Sequence, residues 1–247
     1  MDWTLQCAAV IPCFNEAENI RNLVAGVKRF LPTVIVVDDG STDGTARTAV
    51  MGGAEVVSLG RNSGKGAALR AGWNRLRQRN FQWTLMLDGD GQHSSDDIPI
   101  FFDSAEETGA KLIVGRRNFD KVPRLRRLVN RLLSWQISML ASADLPDSQC
   151  GFRLVELAAL ANLPLAANHF EIESEMLVAF LAVGEDVEFV PIQTIYKNGT
   201  SHIRPLADTW RWMRWSMATK AVGTPILSGR KPDFERNHFL AKKPIIP

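Results

Sequence analysis

The sequence predicts an α/β fold, a mostly parallel sheet with helices on both faces. Two observations predict it: short apolar runs alternate with helical patterns through the first half of the chain, and polar residues follow the end of each run. The composition is that of a globular protein, with 45% hydrophobic and 23% charged residues. The 247 residues suffice for one good core, so we expect one domain over residues 1–229.

Four strands are predicted in the first half. Ala8–Ile11 has the continuous apolar character of a buried strand and is ended by Pro12. Glu16–Phe30 follows it with apolar residues on one helical face. The other predicted elements are strands at Val34–Val37, Ala54–Leu59 and Trp83–Leu87, and helices at Thr42–Met51 and Gly66–Arg79.

The second half is less regular. Val187–Ile195 reads as a strand and contains Pro191, which predicts a position at the edge of the sheet. We expect a disordered tail over residues 230–247. The other predicted elements are a strand at Lys111–Gly115, an amphipathic helix at Arg124–Leu140, a helix at Phe170–Val183 and a final helix that begins with Trp210–Trp215.

Charge and cysteine content limit the classes of partner. A formal charge of +2 does not favour nucleic acid. The basic stretch Lys111–Arg131 suits phosphate groups of a ligand or a membrane surface, and equally a solvated helix face. Cys7, Cys13 and Cys150 have no metal-ligand or disulfide spacing, so they indicate packing thiols in a reducing compartment.

The expected location is cytoplasmic. The first residues lack the basic and apolar segments of a signal peptide, and no run approaches the roughly 18 apolar residues of a membrane span. We therefore expect at most a peripheral contact with the inner face of the membrane.

The polar segments are predicted to converge. In open parallel sheets, ligands bind beyond the carboxyl ends of the strands. Asn15 and Glu16, Asp38 and Asp39, Arg61–Lys65, and Asp88–Gln92 all follow predicted strands. They should therefore share one edge of the sheet.

Asp88–Gln92 is the segment with the clearest chemistry. Its two carboxylates flank a glycine, and Mg²⁺ and Mn²⁺ prefer carboxylate and phosphate oxygens. Such a metal neutralises a diphosphate leaving group. The alternative is an ordinary polar turn at a strand end, and an EF-hand is excluded because its closing Glu is absent.

Two further turns allow both a ligand role and a structural role. Asp39 could accept hydrogen bonds from a base or ribose, while Ser41 or Thr42 caps the next helix. Gly60–Gly66 resembles a phosphate loop but has the wrong spacing for one. Arg61 and Lys65 remain candidate nucleotide contacts.

Hydrolase and zinc chemistry find little support. No G-x-S-x-G elbow is present, and the four histidines lie far apart. His93, directly after the acidic turn, could be a ligand-side residue, although a lone loop histidine is more often solvated.

Four ordered segments carry a family resemblance: Ile11–Glu16, Asp38–Thr45, Asn62–Gly66 and Asp88–Gln92. Together they resemble the family 2 inverting glycosyltransferases of the GT-A fold, which has a Rossmann-like sheet. The branch is similar to dolichol-phosphate and polyprenyl-phosphate sugar synthases. The resemblance runs from about Ala8 to about Trp215.

The resemblance implies roles for individual residues. The donor nucleotide-sugar would contact Pro12, Phe14, Glu16, Asp39, Lys65 and Asp88. The metal, Mg²⁺ or Mn²⁺, would be held by Asp90 with Gln92. Charge on the leaving diphosphate would be stabilised by Arg116, Arg117 and His202, with Arg204 and Lys197 beside them. The acceptor side would carry Asp147, Gln149 and Arg153.

The implied reaction is inverting transfer from a UDP- or GDP-sugar to polyprenyl phosphate or another lipid-linked acceptor. A phosphate acceptor needs little deprotonation, whereas a hydroxyl acceptor needs a base, and Asp147, Glu171 and Glu173 are the late candidates. The alternatives are the same fold acting on a sugar hydroxyl, or a non-catalytic protein that binds nucleotide-sugars. A nucleotidyltransferase is disfavoured because Ile11–Glu16 supplies no activation loop.

Overall fold

The computed structural model describes residues 1–118, 134–135, 137–139, 143 and 145–195. Within the predicted helix Arg124–Leu140, residues 134–135 and 137–139 are helical, and the rest of it lies outside the described residues. The Trp210–Trp215 helix, the tail, and the predicted diphosphate-binding residues Lys197, His202 and Arg204 lie outside them too.

A seven-stranded mixed sheet forms the centre of the fold, as the alternating pattern predicts. Its strands lie in the order β3-β2-β1-β4-β6-β5-β7. All neighbours are parallel except at β6, which runs antiparallel to both β4 and β5. The strands are β1 (Cys7–Cys13), β2 (Val34–Asp38), β3 (Glu55–Ser58), β4 (Trp83–Met86), β5 (Leu112–Arg117), β6 (Arg153–Glu156) and β7 (Val187–Ile192).

The helices cover the sheet with their apolar sides. In the second helix, Ile20, Leu23, Val24 and Val27 are buried, which is the stripe that the sequence spacing predicts. The helices are α1 (Trp3–Gln6), α2 (Ile20–Val27), α3 (Thr45–Met51), α4 (Lys65–Gln78), α5 (Ile98–Thr108), α6 (Leu157–Ala161) and α7 (Glu171–Ala182), and a 3₁₀ turn (Ser95–Asp97) precedes α5.

Both faces of the sheet are covered. Successive residues of a strand point to opposite faces, and Val34–Asp38 is buried at every position. Helix α4 packs on β1 and β2, and α5 packs on β5 and β7. At Gly72 the approach is so close that an added Cβ would lie 2.4 Å from Cγ1 of Val10. A mostly parallel α/β fold with a two-sided core is thereby confirmed.

Helices α1, α5 and α6 were not predicted, and strands β1 and β6 also differ from the predictions. Strand β1 continues through Pro12, because its pairing with β4 ends at Val10 and the proline therefore interrupts no bond to that neighbour. Strand β6 was not predicted, since its four residues begin with Arg153 and end with Glu156, a pattern that reads as a polar loop.

The predicted edge position of β7 is confirmed. Among the described strands it pairs only with β5, at the end of the sheet order, and Pro191 in it is exposed. None of the helices in the described part of the chain has the length and apolar character needed to cross a membrane.

Candidate active site

The turns after β1 and β2 interlock at the carboxyl edge of the sheet. The backbone N–H of Asn15 donates to Oγ of Ser41 (2.9 Å), and that of Glu16 donates to Oγ1 of Thr45 (2.8 Å). Oδ1 of Asn15 accepts from the N–H of Thr42 (2.9 Å). Hydroxyl and amide side chains therefore fix the predicted nucleotide turns against each other.

The capping prediction for α3 is wrong in its residue. The carboxylate of Asp43, rather than Ser41 or Thr42, accepts from the N–H of Thr45 at 3.0 Å. Asp43 also accepts from the N–H of Ala17 at 3.0 Å. It can do both because its two oxygens face opposite turns, whereas the Ser41 hydroxyl is already bound to the β1 turn.

Asp39 is buried, and its carboxylate organises the glycine turn. Oδ1 accepts from the N–H of Ser63 (2.7 Å) and Oδ2 from that of Gly64 (2.8 Å). Each oxygen keeps a second lone pair. The contact of Asp39 with a base stays a prediction. The two hydrogen bonds already fix the carboxylate that would make this contact.

The glycine turn is closed by protein rather than by phosphate. The N–H groups of Gly66 and Ala67 donate to the carbonyl of Asn168 (2.8 and 3.3 Å). An added Cβ at Gly64 would lie 2.3 Å from that same carbonyl oxygen. Because these amides at the start of α4 already have acceptors, the structure agrees with rejection of a phosphate loop.

Asp88 lies between two basic groups. Its Oδ1 forms an ion pair with Nζ of Lys65, and its Oδ2 lies 3.6 Å from Nε2 of His93. Burial alone would raise the pKa of the Asp88 carboxyl, but Lys65 and His93 outweigh it and hold that pKa well below its usual range. Asp88 is therefore a fixed, ionised acceptor.

Asp90 has the opposite electrostatic character. Burial and the neighbouring Asp88 raise the pKa of its carboxyl, and the one described hydrogen bond to it comes from the N–H of Gln92 (3.0 Å). Within the described residues, no three His, Cys, Asp or Glu side chains form a metal-binding group. A divalent cation would thus rest on Asp90, on Gln92 and on ligand phosphates, which suits Mg²⁺ and Mn²⁺.

Two glycines allow this turn to pack tightly. An added Cβ at Gly89 would lie 2.6 Å from Sγ of Cys13, and one at Gly151 would lie 2.4 Å from Oδ2 of Asp88. Gly151 stands two residues before β6, which starts at the site edge because that strand runs antiparallel. The backbone thus touches the acidic turn where any side chain would displace it.

Lys65 joins the acidic turn to helix α7. Its Nζ contacts Oδ1 of Asp88 and, at 2.5 Å, Oε1 of Glu173. Burial alone would lower the pKa of Lys65, but the two carboxylates raise it above its usual value. Two carboxylates therefore already share the ammonium with which Lys65 is predicted to contact the donor.

Arg117 and Asp147 bind each other. Nε of Arg117 donates to Oδ2 of Asp147 (2.7 Å), and Nη2 donates to Oδ1 (2.8 Å), a two-point contact. Asp147 is fully buried, and Arg116 beside this pair is half-buried. The pair ties the end of β5 to the loop before β6, so Asp147 is poorly suited to act as a base.

The prediction that Arg153 lies at the acceptor side is wrong. The side chain is fully buried, and Nε, Nη1 and Nη2 donate to the carbonyls of Cys150, Glu173 and Ser148, at 2.8, 2.7 and 2.9 Å. An arginine whose three donor nitrogens are so used is a structural tie. Gln149 is half-buried and donates from Nε2 to the hydroxyls of Ser148 and Ser174 (2.8 and 2.9 Å).

The other residues predicted to contact the donor lie at the edge of the sheet where the sequence places them. Pro12, Phe14 and Glu16 are half-buried at or just beyond the end of β1. Glu16 also accepts from Nδ2 of Asn19 at 3.2 Å. All three lie at the same edge as Asp39 and Asp88, so the predicted convergence of the polar segments is confirmed.

The contacts of two residues at the site could not be predicted from the sequence. His93 is 5% exposed rather than solvated, because its ring packs on Phe152 and its backbone pairs with Thr194. Glu173 was considered only as a base, and no local signal connects it with Lys65, 108 residues earlier. A clue to His93 was its place directly after the acidic turn.

Sequence comparisons identify similar proteins. A family profile described as glycosyl transferase family 2 matches residues 8–149. Glycosyltransferase AglJ of Haloferax volcanii is 33% identical over 73% of this chain and 60% of its own length. The UDP-N-acetylglucosamine–dolichyl-phosphate N-acetylglucosaminyltransferase of Methanococcus voltae is 29% identical over 76% of this chain and 84% of its own.

A solved structure has the same fold. Glucosyl-3-phosphoglycerate synthase from Mycobacterium tuberculosis, in complex with Mn²⁺, uridine diphosphate and phosphoglyceric acid, superposes with a TM-score of 0.67 at 22% identity. The superposition covers 89% of this chain and 79% of the synthase chain. At this identity the likeness concerns the fold.

Proposed function

Because the chain belongs to glycosyl transferase family 2, we propose that it moves a sugar from a UDP- or GDP-sugar to polyprenyl phosphate or another lipid-linked acceptor. The observation that supports donor binding is that the two carboxylates of the acidic turn, Asp88 and Asp90, have different surroundings. Asp88 forms an ion pair with Lys65, and its Oδ2 lies 3.6 Å from Nε2 of His93, whereas Asp90 forms no ion pair in the described part of the chain.

A divalent metal fits this arrangement. Asp90 and Gln92 would hold Mg²⁺ or Mn²⁺ together with the diphosphate of the donor. When bound, the metal neutralises charge that develops on the leaving nucleotide diphosphate. Asp88 is fixed by Lys65 and would orient the donor, and Asp39 would contact the base from its position at the glycine turn.

A phosphate acceptor is supported by the ion pairs of Asp147 and Glu173, two of the three carboxylates considered as a base. Arg117 occupies both oxygens of Asp147, and Lys65 contacts Glu173. An acceptor that is already anionic needs no strong base, which agrees with a phosphate. Attack would come from the side opposite the diphosphate and so invert the anomeric carbon. Arg116 and His202 would stabilise the leaving group.

A second candidate acceptor is a sugar hydroxyl, and Glu171 favours it. This carboxylate is 8% exposed, and its Oε2 is buried without a hydrogen-bond partner in the described structure. It is the one late carboxylate candidate that neither Arg117 nor Lys65 holds. If the acceptor is a hydroxyl, Glu171→Gln should lower the rate by about 10²–10⁴-fold; with a phosphate acceptor the loss should be small.

A peripheral membrane contact is part of the proposal. Trp135 and Met139 stand one helical turn apart and are 58% and 59% exposed, in a stretch that begins with many arginines. Aromatic and basic residues together suit an anionic lipid surface. Flotation with anionic vesicles tests it, because Trp135→Ser should reduce the bound fraction.

The experiment that tests the function is a donor and acceptor panel. Purified protein is incubated with UDP- and GDP-sugars, with polyprenyl phosphate in detergent or with a sugar hydroxyl acceptor, and with Mn²⁺, Mg²⁺ or a chelator. We expect metal-dependent product from one donor with polyprenyl phosphate, with inverted anomeric configuration by NMR. Asp90→Ala should abolish turnover, whereas Asp103→Asn, at an exposed position of α5, should not. Binding without turnover would indicate a non-catalytic protein.

A further inference from the structure

Lys65 is enclosed where three elements meet. It starts α4, its side chain is 9% exposed, and its ammonium contacts Asp88 after β4 and Glu173 on α7. The ring of Phe170 lies 5.7 Å from the same Nζ. A lysine has a flexible four-carbon stem, so a single contact would leave its ammonium free to turn toward other anions. Here a second carboxylate holds it from another element.

Glu173 is itself held in place through its backbone. Nη1 of the fully buried Arg153 donates to its carbonyl at 2.7 Å, which anchors the first turn of α7 on β6. The Glu173 side chain is 6% exposed. A buried carboxylate at this position is costly unless it is paired, and Lys65 pairs it. The contacts therefore run without a gap from β6 through Glu173 and Lys65 to Asp88.

We propose that Glu173 is a positioning residue of the donor site: through Lys65 it fixes Asp88, which leaves Asp90 as the carboxylate that meets the metal and the diphosphate. This inference rests on the proposed donor function. Without Glu173, the ammonium of Lys65 is held by Asp88 alone and can move toward Asp90 or the donor phosphates. Asp88 would then no longer be the carboxylate of the turn that Lys65 holds.

The first measurement compares Glu173→Gln with Glu175→Gln. The glutamine keeps the shape of the side chain and removes its charge. Glu175 is a matched control on the same helix, because it accepts from the N–H groups of Ala166 and Ala167 (3.2 and 2.9 Å) and forms no ion pair with Lys65. We expect Glu173→Gln to lower kcat for the donor by about 10- to 100-fold with little change in KM. Glu175→Gln should stay within about twofold of the unchanged protein.

A double-mutant cycle shows whether Glu173 acts through Lys65. Calorimetric binding of Mn²⁺ with UDP or GDP is measured for Lys65→Met, Glu173→Gln and the double variant. If the two residues act as one unit, the double variant should bind no more weakly than Lys65→Met alone. Glu173→Gln should even improve the folding of Lys65→Met, since it removes a carboxylate left without a partner.

Three results would overturn the inference, and they differ from one another. Wild-type kcat in a folded Glu173→Gln variant would mean that Glu173 does not position the site. Additive losses in the cycle would mean that it does not act through Lys65. If the unchanged protein binds neither nucleotide with Mn²⁺, the proposed function fails first and the inference falls with it.

Discussion

Gly151 offers the sharpest test of how the acidic turn is held. Its φ is ordinary, so Gly151→Ala adds one methyl group without backbone strain. That Cβ would lie 2.4 Å from Oδ2 of Asp88, whereas ordinary contact begins at 3.4 Å. The carboxylate must therefore move by about 1 Å, and its other oxygen is tied to Lys65.

The expected loss of activity follows from this displacement. A misplacement of about 1 Å in a catalytic geometry lowers the rate by about 10²-fold. Overpacking should also lower the free energy of unfolding by about 1–3 kcal/mol. For a chain of this size that shifts Tm downward by about 2–12 °C.

The assay is the initial rate of donor turnover at saturating Mn²⁺, below the Tm of every variant. Gly72→Ala is the matched control, because its Cβ meets Val10 at the same 2.4 Å, in the core and away from the acidic turn. It should lose stability but keep its rate per folded molecule. If Gly151→Ala and Gly72→Ala lose the same activity, the damage is general overpacking and the reasoning about Asp88 is refuted.

Three further predictions concern charge. Asp90→Asn removes a carboxylate whose charged form is disfavoured by burial and by Asp88. Without metal, the free energy of unfolding should therefore rise by about 0.5–2 kcal/mol, and Tm with it; an unchanged or lower Tm would contradict this. Asp147→Asn breaks the charged two-point contact with Arg117 and should cost about 3–5 kcal/mol in urea unfolding, against less than about 0.5 for exposed Asp103→Asn. The folded-state pKa of Asp88 is lowered, because its basic neighbours outweigh burial, so its stabilisation is complete above its unfolded pKa of about 3.9 and is lost as pH falls. Unfolding free energy should therefore drop more between pH 6 and pH 3 in the unchanged protein than in Asp88→Asn.

The strands with a continuous apolar run could be predicted from sequence, and so could the edge where their ends meet. Val34–Val37 and Trp83–Leu87 are examples, since burial on both faces leaves no exposed position in such a strand. β6 could not be predicted, because the burial of Arg153 depends on three carbonyls supplied by other segments. A charged residue predicts exposure unless its partners are known.

The site was predictable in its chemistry but not in its pairings. The positions of Asp88 and Asp90 followed from the strand before them. Their opposite pKa shifts depend on Lys65 and His93, which contact Asp88 but not Asp90. Glu173 illustrates the same limit, because a contact over 108 residues has no local pattern.

The antiparallel course of β6 has a consequence for how this protein can be redesigned. Because β5 runs toward the site and β6 away from it, the chain leaves the sheet at Arg117 and returns at Arg153 on the same edge. The Arg117–Asp147 pair joins the two ends of this excursion. A graft that replaces the chain between these two residues should therefore keep both Arg117 and Asp147, so that the same contact closes it at the edge of the sheet.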